Sequence, residues 1–343
     1  GAVIVGTTNV PKMLFDVQTF GEIYPTANNP YDVTRAPGGS TGGGAAAVAM
    51  GVAPIAVGGD FGGSIRIPAA FCGLYGLKTT DGAMTDFGGS PGEPGDPKYR
   101  RMMVTGPIAS TVDDIDLAWN AMMNKWPEQK AKMLEPKAEL KDYKVAYLDE
   151  WKFGNDKVIV SRDIKEKLSK LTETLKSNNV SVTADQPAEF ERMVAMHRVL
   201  GIYTMLEKVP WLLRQLVIRD FKSADNHRID MSEVYDRMSD MDASKYDDIL
   251  KRHDALRDQM ESFLTKYDFL IMPVATTPAI KHNPEHKPIS IDGTNVDYWD
   301  NFLYPVVFNA TGHPALAIPL GLNAEGIPIG VQIVGRMNSE KQL

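Results

Sequence analysis

Residues 37–47 read PGGSTGGGAAA, and a second glycine turn, FGGSIRIP, begins at Phe61. No side chain between Gly38 and Ala47 is larger than threonine, so other backbone can come very close to this stretch, and its glycines reach conformations closed to other residues. The run over 42–50, GGGAAAVAM, predicts a helix packed tightly on its neighbours, and VAPIAVGG over 52–59 predicts a buried strand. Strand, turn and helix thus alternate around two single serines, Ser40 and Ser64.

The same alternation continues along the chain. Residues 2–6, AVIVG, predict a buried strand. Residues 88–97, GGSPGEPGDP, predict a loop, followed by an amphipathic helix that Ser110 or Thr111 caps together with Asp113 or Asp114. A strand is expected at 144–148, mostly helix over 161–266, and strands again at 269–274, 315–320 and 328–335. No internal repeat or low-complexity tract occurs. The pattern is a mixed α/β protein with one sheet core, a single domain over 1–343 carrying a largely helical insertion at about 125–266.

Composition narrows the function. A net charge of −7 argues against nucleic acid or an anionic membrane as the main partner, and a small-molecule substrate fits better. The single cysteine, Cys72, rules out an internal disulfide framework and a multi-cysteine metal site, and its apolar setting predicts a buried, inert thiol. His282 and His286 lie in a polar loop and read as surface residues rather than metal ligands. With no run of about 18 apolar residues, no transmembrane segment is expected, and a cytoplasmic location is the default. The chain opens on Gly1 rather than methionine, so its natural amino terminus is expected to lie further upstream. The apolar run 202–218 reads as packed core, with an acyl pocket or membrane cap as the alternatives.

Several chemistries compete for the two serine turns. A phosphate cradle would need a closing GK[ST], which is missing. Gly42, Gly44 and Ala47 fit G-x-G-x-x-A with Asp60 downstream, but no strand precedes them as a dinucleotide fingerprint requires. G-x-S-x-G and S-x-x-K are also missing. A nucleophilic reading explains more: an attacking serine needs close access for substrate and amide donors for the developing oxyanion, which Gly62 and Gly63 beside Ser64 supply, while Ser40 passes a proton. Two plain tight turns between strand and helix are the competing structural reading.

Residues 37–80 closely resemble the signature of the amidase signature family of serine hydrolases, with Ser40 and Ser64 separated by 24 residues as in that family. GAVIVGTTNVP, NPYD, GPIASTVDDIDLA, FNATGHPALAIPLGL and GIPIGVQIVGR extend the match towards both ends, whereas the helical middle matches little. The resemblance implies a mixed, mostly parallel central β-sheet covered by α-helices on both faces. It also implies a Ser–cis-Ser–Lys triad with Ser64 as nucleophile and Ser40 as bridging serine after a cis Gly39–Ser40 peptide. The amides of Phe61, Gly62, Gly63 and Ser64 match the oxyanion hole; Gly39, Thr41, Asp60 and Arg66 match supporting positions, the last two with a plain ion pair as the alternative; Leu14 matches a residue lining the acyl side of the cleft. The triad lysine lies upstream of the segment resembling GAVIVGTTNVP, no residue here matches it, and neither Lys12 nor Lys78 takes its place. With the ending SEKQL, where family members continue, the expectation is a chain incomplete at both termini.

The implied activity is hydrolysis of a carboxylic amide, with esters as further substrates, through a Ser64 acyl-enzyme, without metal or organic cofactor. The alternatives are a glutaminyl-tRNA amidotransferase-type subunit that releases ammonia from glutamine, and an inactive fragment or binding scaffold without its lysine. Gly44, where the family has serine or glutamate, leans towards a stand-alone amidase. The amide itself stays open, since selectivity would rest on the divergent helices and the 88–103 loop. A homodimer is the default oligomer.

Overall fold

The computed structural model describes residues 2–84, 102–153, 156–206, 210, 213, 215 and 243–343. Its main sheet is built from β1 (Ile55–Asp60), β2 (Tyr75–Lys78), β3 (Val104–Ala109), β4 (Lys144–Tyr147), β7 (Ser181–Ala184), β8 (Phe269–Pro273), β11 (Ala315–Leu322) and β12 (Pro328–Gly335). These eight strands run in the order β1-β3-β2-β11-β12-β8-β4-β7. Two small hairpins lie outside it, β5 (Trp151–Phe153) with β6 (Asp156–Val158) and β9 (Ile289–Ile291) with β10 (Thr294–Val296).

The expected mixed sheet is present, but its pairing is mainly antiparallel rather than mostly parallel. Only the neighbours β8–β4 and β4–β7 are parallel, and the other five contacts are antiparallel. The reason lies in the connections. A parallel neighbour in sequence needs a crossover element, and such a crossover links adjacent strands only where α5 (Arg162–Ser177) joins β4 to β7. β11 returns directly into β12 through a turn at Asn323, whose side chain accepts from the Glu325 and Ile327 amides.

Helices cover both faces. On one face lie α1 (Gly42–Ala49), α2 (Arg66–Phe71), α6 (Phe190–Leu206), α7 (Ala243–Lys266) and α8 (Leu303–Thr311); on the other lie α3 (Val112–Met123) and α5. The period of two in β8 sorts its side chains between them: Leu270 and Met272 pack with α6, α7 and α8, Phe269 and Ile271 with α5. In α5 the apolar stripe Leu168, Leu171 and Leu175 turns towards the sheet. A short helix, α4 (Pro127–Lys130), follows α3.

Two expectations change. Residues 2–6 form no strand, and Val3, Ile4 and Val5 are 78–89% exposed. An apolar run becomes a strand only where a sheet edge accepts its ladder, and this segment pairs with no described strand; the backbone bond that follows it, Gly43 N–H to the Asn9 carbonyl, lies further along. The 125–266 stretch carries helices but also gives β4 and β7 to the main sheet, so it is more than an insertion. Most of the 88–103 loop and most of 207–218 lie outside the described residues. No described helix is long and apolar enough to cross a membrane.

The cap of α3 is as read from sequence: Thr111 Oγ1 accepts the Asp114 N–H at 3.1 Å. Replacing Thr111 with alanine is expected to lower stability by about 1 kcal/mol, and Thr111→Ser to restore it. Urea denaturation of the two variants checks this, and an equal loss in both would remove the cap as the cause.

Candidate active site

The two serine turns meet. The Thr41 N–H donates to the Ser64 carbonyl at 3.1 Å, tying the start of α1 to the start of α2. Ser40 is buried and Ser64 half-buried, and the Gly39–Ser40 peptide is cis. No hydrogen bond joins the two hydroxyls, and neither bonds to any described residue. At Gly39 a Cβ would lie 2.6 Å from the Asp16 carbonyl oxygen, so the backbone at 16–18 backs directly onto the cis peptide. Gly63 has φ +104°, and a Cβ there would press on the Pro305 ring at 2.7 Å.

Behind the Ser64 turn sits a buried polar cluster. Arg66 grips the Asp60 carboxylate with Nη2 on Oδ1 at 2.9 Å and Nε on Oδ2 at 3.1 Å, both side chains having no exposed area. Arg66 also donates to Gln332 Oε1 at 2.7 Å and Asn309 Oδ1 at 2.6 Å. Asn309 Nδ2 donates to the Asp60 carbonyl and to the Met102 carbonyl. Four elements contribute: Asp60 ends β1, Arg66 opens α2, Asn309 lies on α8 and Gln332 on β12. The Asp60 carboxylate also accepts the Gly63 N–H at 2.8 Å and the Ile65 N–H at 3.2 Å. Burial alone would raise the Asp60 pKa; the Arg66 charge and the hydrogen bonds from Arg66 and Asn309 outweigh it and hold the carboxyl well below the usual range.

This corrects one expected donor. The Gly63 amide, matched to the oxyanion hole, is engaged by Asp60. The amides of Phe61, Gly62 and Ser64 have no hydrogen-bond partner among the described residues. Asp60 and Arg66 do form the ion pair weighed for them, and the same carboxylate shapes the turn. Leu14 is 47% exposed in a one-turn 3-10 helix, Lys12–Leu14, and belongs to none of the buried clusters.

Neither lysine in question touches a serine. Lys12 pairs with Glu22 in the open. Lys78 is fully buried and donates to the Thr79 and His313 carbonyls at 2.9 and 2.8 Å. Burial, helped by the Arg66 charge, pushes its amine down to about 7 against the pull of Asp60, Asp81 and Glu340. Cys72 is buried, and burial pushes its thiol up. His282 bonds to Asn28, while His286 is half-exposed and pairs with Asp16 at 2.6 Å. Among the described residues no group of three or more His, Cys, Asp or Glu is arranged to hold a metal ion.

One residue at the turn carries no sequence signal. His197, on α6, places Nε2 2.6 Å from the Phe61 carbonyl oxygen and its ring centroid 5.0 Å from that of Phe61. It lies in the helical middle, and a lone histidine on a helix has no motif to mark it.

A sheet covered on both faces, with two serine turns joined over a buried Asp–Arg pair, defines a glycine-turn serine site of α/β type. The Amidase family model matches residues 1–343, and the chain belongs to the amidase family. It is 29% identical over 370 residues to a glutamyl-tRNA(Gln) amidotransferase subunit of Alkaliphilus metalliredigens, covering 100% of this chain and 72% of that relative. Among solved structures, 6-aminohexanoate cyclic dimer hydrolase superposes with a TM-score of 0.74 at 22% identity, covering 98% of this chain and 72% of that one. A bacterial aryl acylamidase of the amidase signature family superposes at 0.71 with 22% identity, covering 98% and 70%.

Two outcomes are expected from the buried charges. Arg66→Met strands the Asp60 carboxylate without its partner and should cost about 3–5 kcal/mol in urea denaturation; a loss below about 1 kcal/mol would mean that the pair is not the organising contact. For Lys78, the folded amine sits near 7 and the unfolded one near its ordinary value of 10.5. Between those values the unfolded chain binds a proton that the folded chain does not, so this group makes stability rise with pH, by up to about 1.4 kcal/mol per unit. Denaturation at pH 7, 8 and 9 should show that rise, and Lys78→Met should flatten it.

Proposed function

We propose that the chain hydrolyses carboxylic amides through an acyl-enzyme on Ser64. The Ser64 hydroxyl oxygen forms a bond to the amide carbonyl carbon, and its proton leaves by way of Ser40 to the departing nitrogen. The C–N bond breaks, ammonia or an amine departs, and water cleaves the resulting ester to the acid. The observation that carries this reading is the meeting of the two serine turns at Thr41 N–H and Ser64 O, with three amides beside the nucleophile, at Phe61, Gly62 and Ser64, that have no hydrogen-bond partner among the described residues. Those amides are the donors for the oxyanion. Leu14 is proposed for the acyl side of the cleft, and the divergent helices and the 88–103 loop for substrate choice. The proton acceptor for the Ser40–Ser64 relay is assigned to neither Lys12 nor Lys78, since both engage other groups.

Fluorophosphonate labelling followed by intact mass tests the nucleophile. The wild-type chain is expected to gain one adduct and Ser64→Ala none. A wild-type chain that gains none supports the reading as an inactive scaffold instead.

A second reading is favoured by the relatives: matches at 27–29% identity across the whole chain are glutamyl-tRNA(Gln) amidotransferase subunits by name. On that reading the amide is glutamine, and the ammonia passes to a partner that holds tRNA. Ammonia release from glutamine, measured against release from simple aliphatic and aryl amides, separates the two.

A further inference from the structure

Each unengaged amide of the Ser64 turn belongs to a peptide whose carbonyl is held from behind. The Phe61 N–H shares a peptide with the Asp60 carbonyl, which accepts from Asn309 Nδ2 at 2.9 Å. The Ser64 N–H shares one with the Gly63 carbonyl, which accepts the Ile67 N–H at 2.8 Å. The Gly62 N–H shares one with the Phe61 carbonyl, and there the anchor is His197 Nε2 at 2.6 Å. A trans peptide is planar, with C=O and N–H on opposite sides, so fixing the carbonyl fixes where the amide points. This peptide needs an outside anchor more than the others do, because two glycines follow Phe61 and no side chain restrains them.

We infer that His197 is a positioning residue of the proposed oxyanion turn, donating Nε2–H to the Phe61 carbonyl and thereby setting the direction of the Gly62 amide. The inference rests on the reading of this turn as an oxyanion hole. A carbonyl only accepts, so the ring carries its proton on Nε2. Its ring lies beside the turn, since a Cβ on Gly62 would meet His197 Cε1 at 3.6 Å. Gly201, one turn further along α6, brings the helix within 3.3 Å of the Phe61 ring, measured from a Cβ built there. Burial pushes the His197 ring down to about 4 and keeps it neutral; the bond to Phe61 and the Asp60 charge oppose this, and Arg198 and Arg66 add to it. The neutral ring places no extra positive charge beside the turn.

The test labels the chain with 13C-carbonyl phenylalanine and 15N glycine, so that only four peptides give a signal: Phe20–Gly21, Phe61–Gly62, Phe87–Gly88 and Phe153–Gly154. The Phe61–Gly62 signal is the one lost in Phe61→Leu. In His197→Leu this signal is expected to shift while the other three stay in place, and an unchanged circular dichroism spectrum shows that the chain is folded. Fluorophosphonate labelling of Ser64 should slow by about tenfold, less than the hundredfold or more that follows complete loss of a donor. His197→Gln, whose amide nitrogen has the reach of Nε2, should restore both. An unmoved Gly62 signal in His197→Leu overturns the inference, as does a glutamine variant as impaired as the leucine one. In the wild type, 15N-histidine spectra should show the neutral Nε2–H form of His197 at pH 6, and the Nδ1–H form overturns it whatever the variants do. A wild-type chain that takes no fluorophosphonate while Gly62 still answers to His197 overturns the hydrolase reading and leaves the positioning role standing.

Discussion

The buried contact between Asp60 and Arg66 is the constraint on which the rest of the site depends. Two full charges without exposed area must satisfy nearly every donor and acceptor they carry, and they do so by reaching four separate elements. The guanidinium fork uses both carboxylate oxygens plus Gln332 and Asn309, and the carboxylate accepts two turn amides besides. The geometry of the turn is therefore not a local preference of FGGSI. It is an arrangement in which β1, α2, α8 and β12 come together without leaving the Asp60 or Arg66 charge unpaired.

That arrangement sorts the amides of the turn into two groups. Gly63 and Ile65 point back at Asp60, and Phe61, Gly62 and Ser64 are left over. The carbonyls belonging to the left-over amides are taken by Asn309, His197 and Ile67. The fixing is done from the rear, in two of the three cases by side chains distant in sequence. The glycines make it feasible: at Gly39 and Gly63 neighbouring atoms occupy the space of a Cβ, so any larger residue would push the first turn off the 16–18 backbone and the second off Pro305.

Lys78 illustrates how burial directs a charged group away from chemistry. It is buried close enough to feel the Arg66 charge, yet it spends its donors on two backbone carbonyls at the end of β2. A lowered pKa marks it as desolvated, and desolvation is shared by structural and reactive lysines alike. Its contacts identify it as a structural clasp between β2 and the turn after α8.

Much of the fold was legible from pattern. The apolar run PIGVQIVG coincides with β12, the small-residue run with α1, and the Thr111 cap with the start of α3, because each is dictated by neighbours in sequence. The serine pair and the Asp60–Arg66 pair were likewise visible, since both lie in one continuous signature. Three features were not. The apolar residues 2–6 read as a strand, but a strand requires an edge to pair with, and that is a property of the assembled sheet. Strand direction depended on which connections carry a crossover helix. His197, Asn309 and Gln332 reach the turn from more than 130 positions away, and no local spacing encodes a contact that exists only after the helices pack. Local sequence placed the two serines on two glycine turns; the tertiary packing chose which backbone amides beside Ser64 are engaged and which have no partner among the described residues.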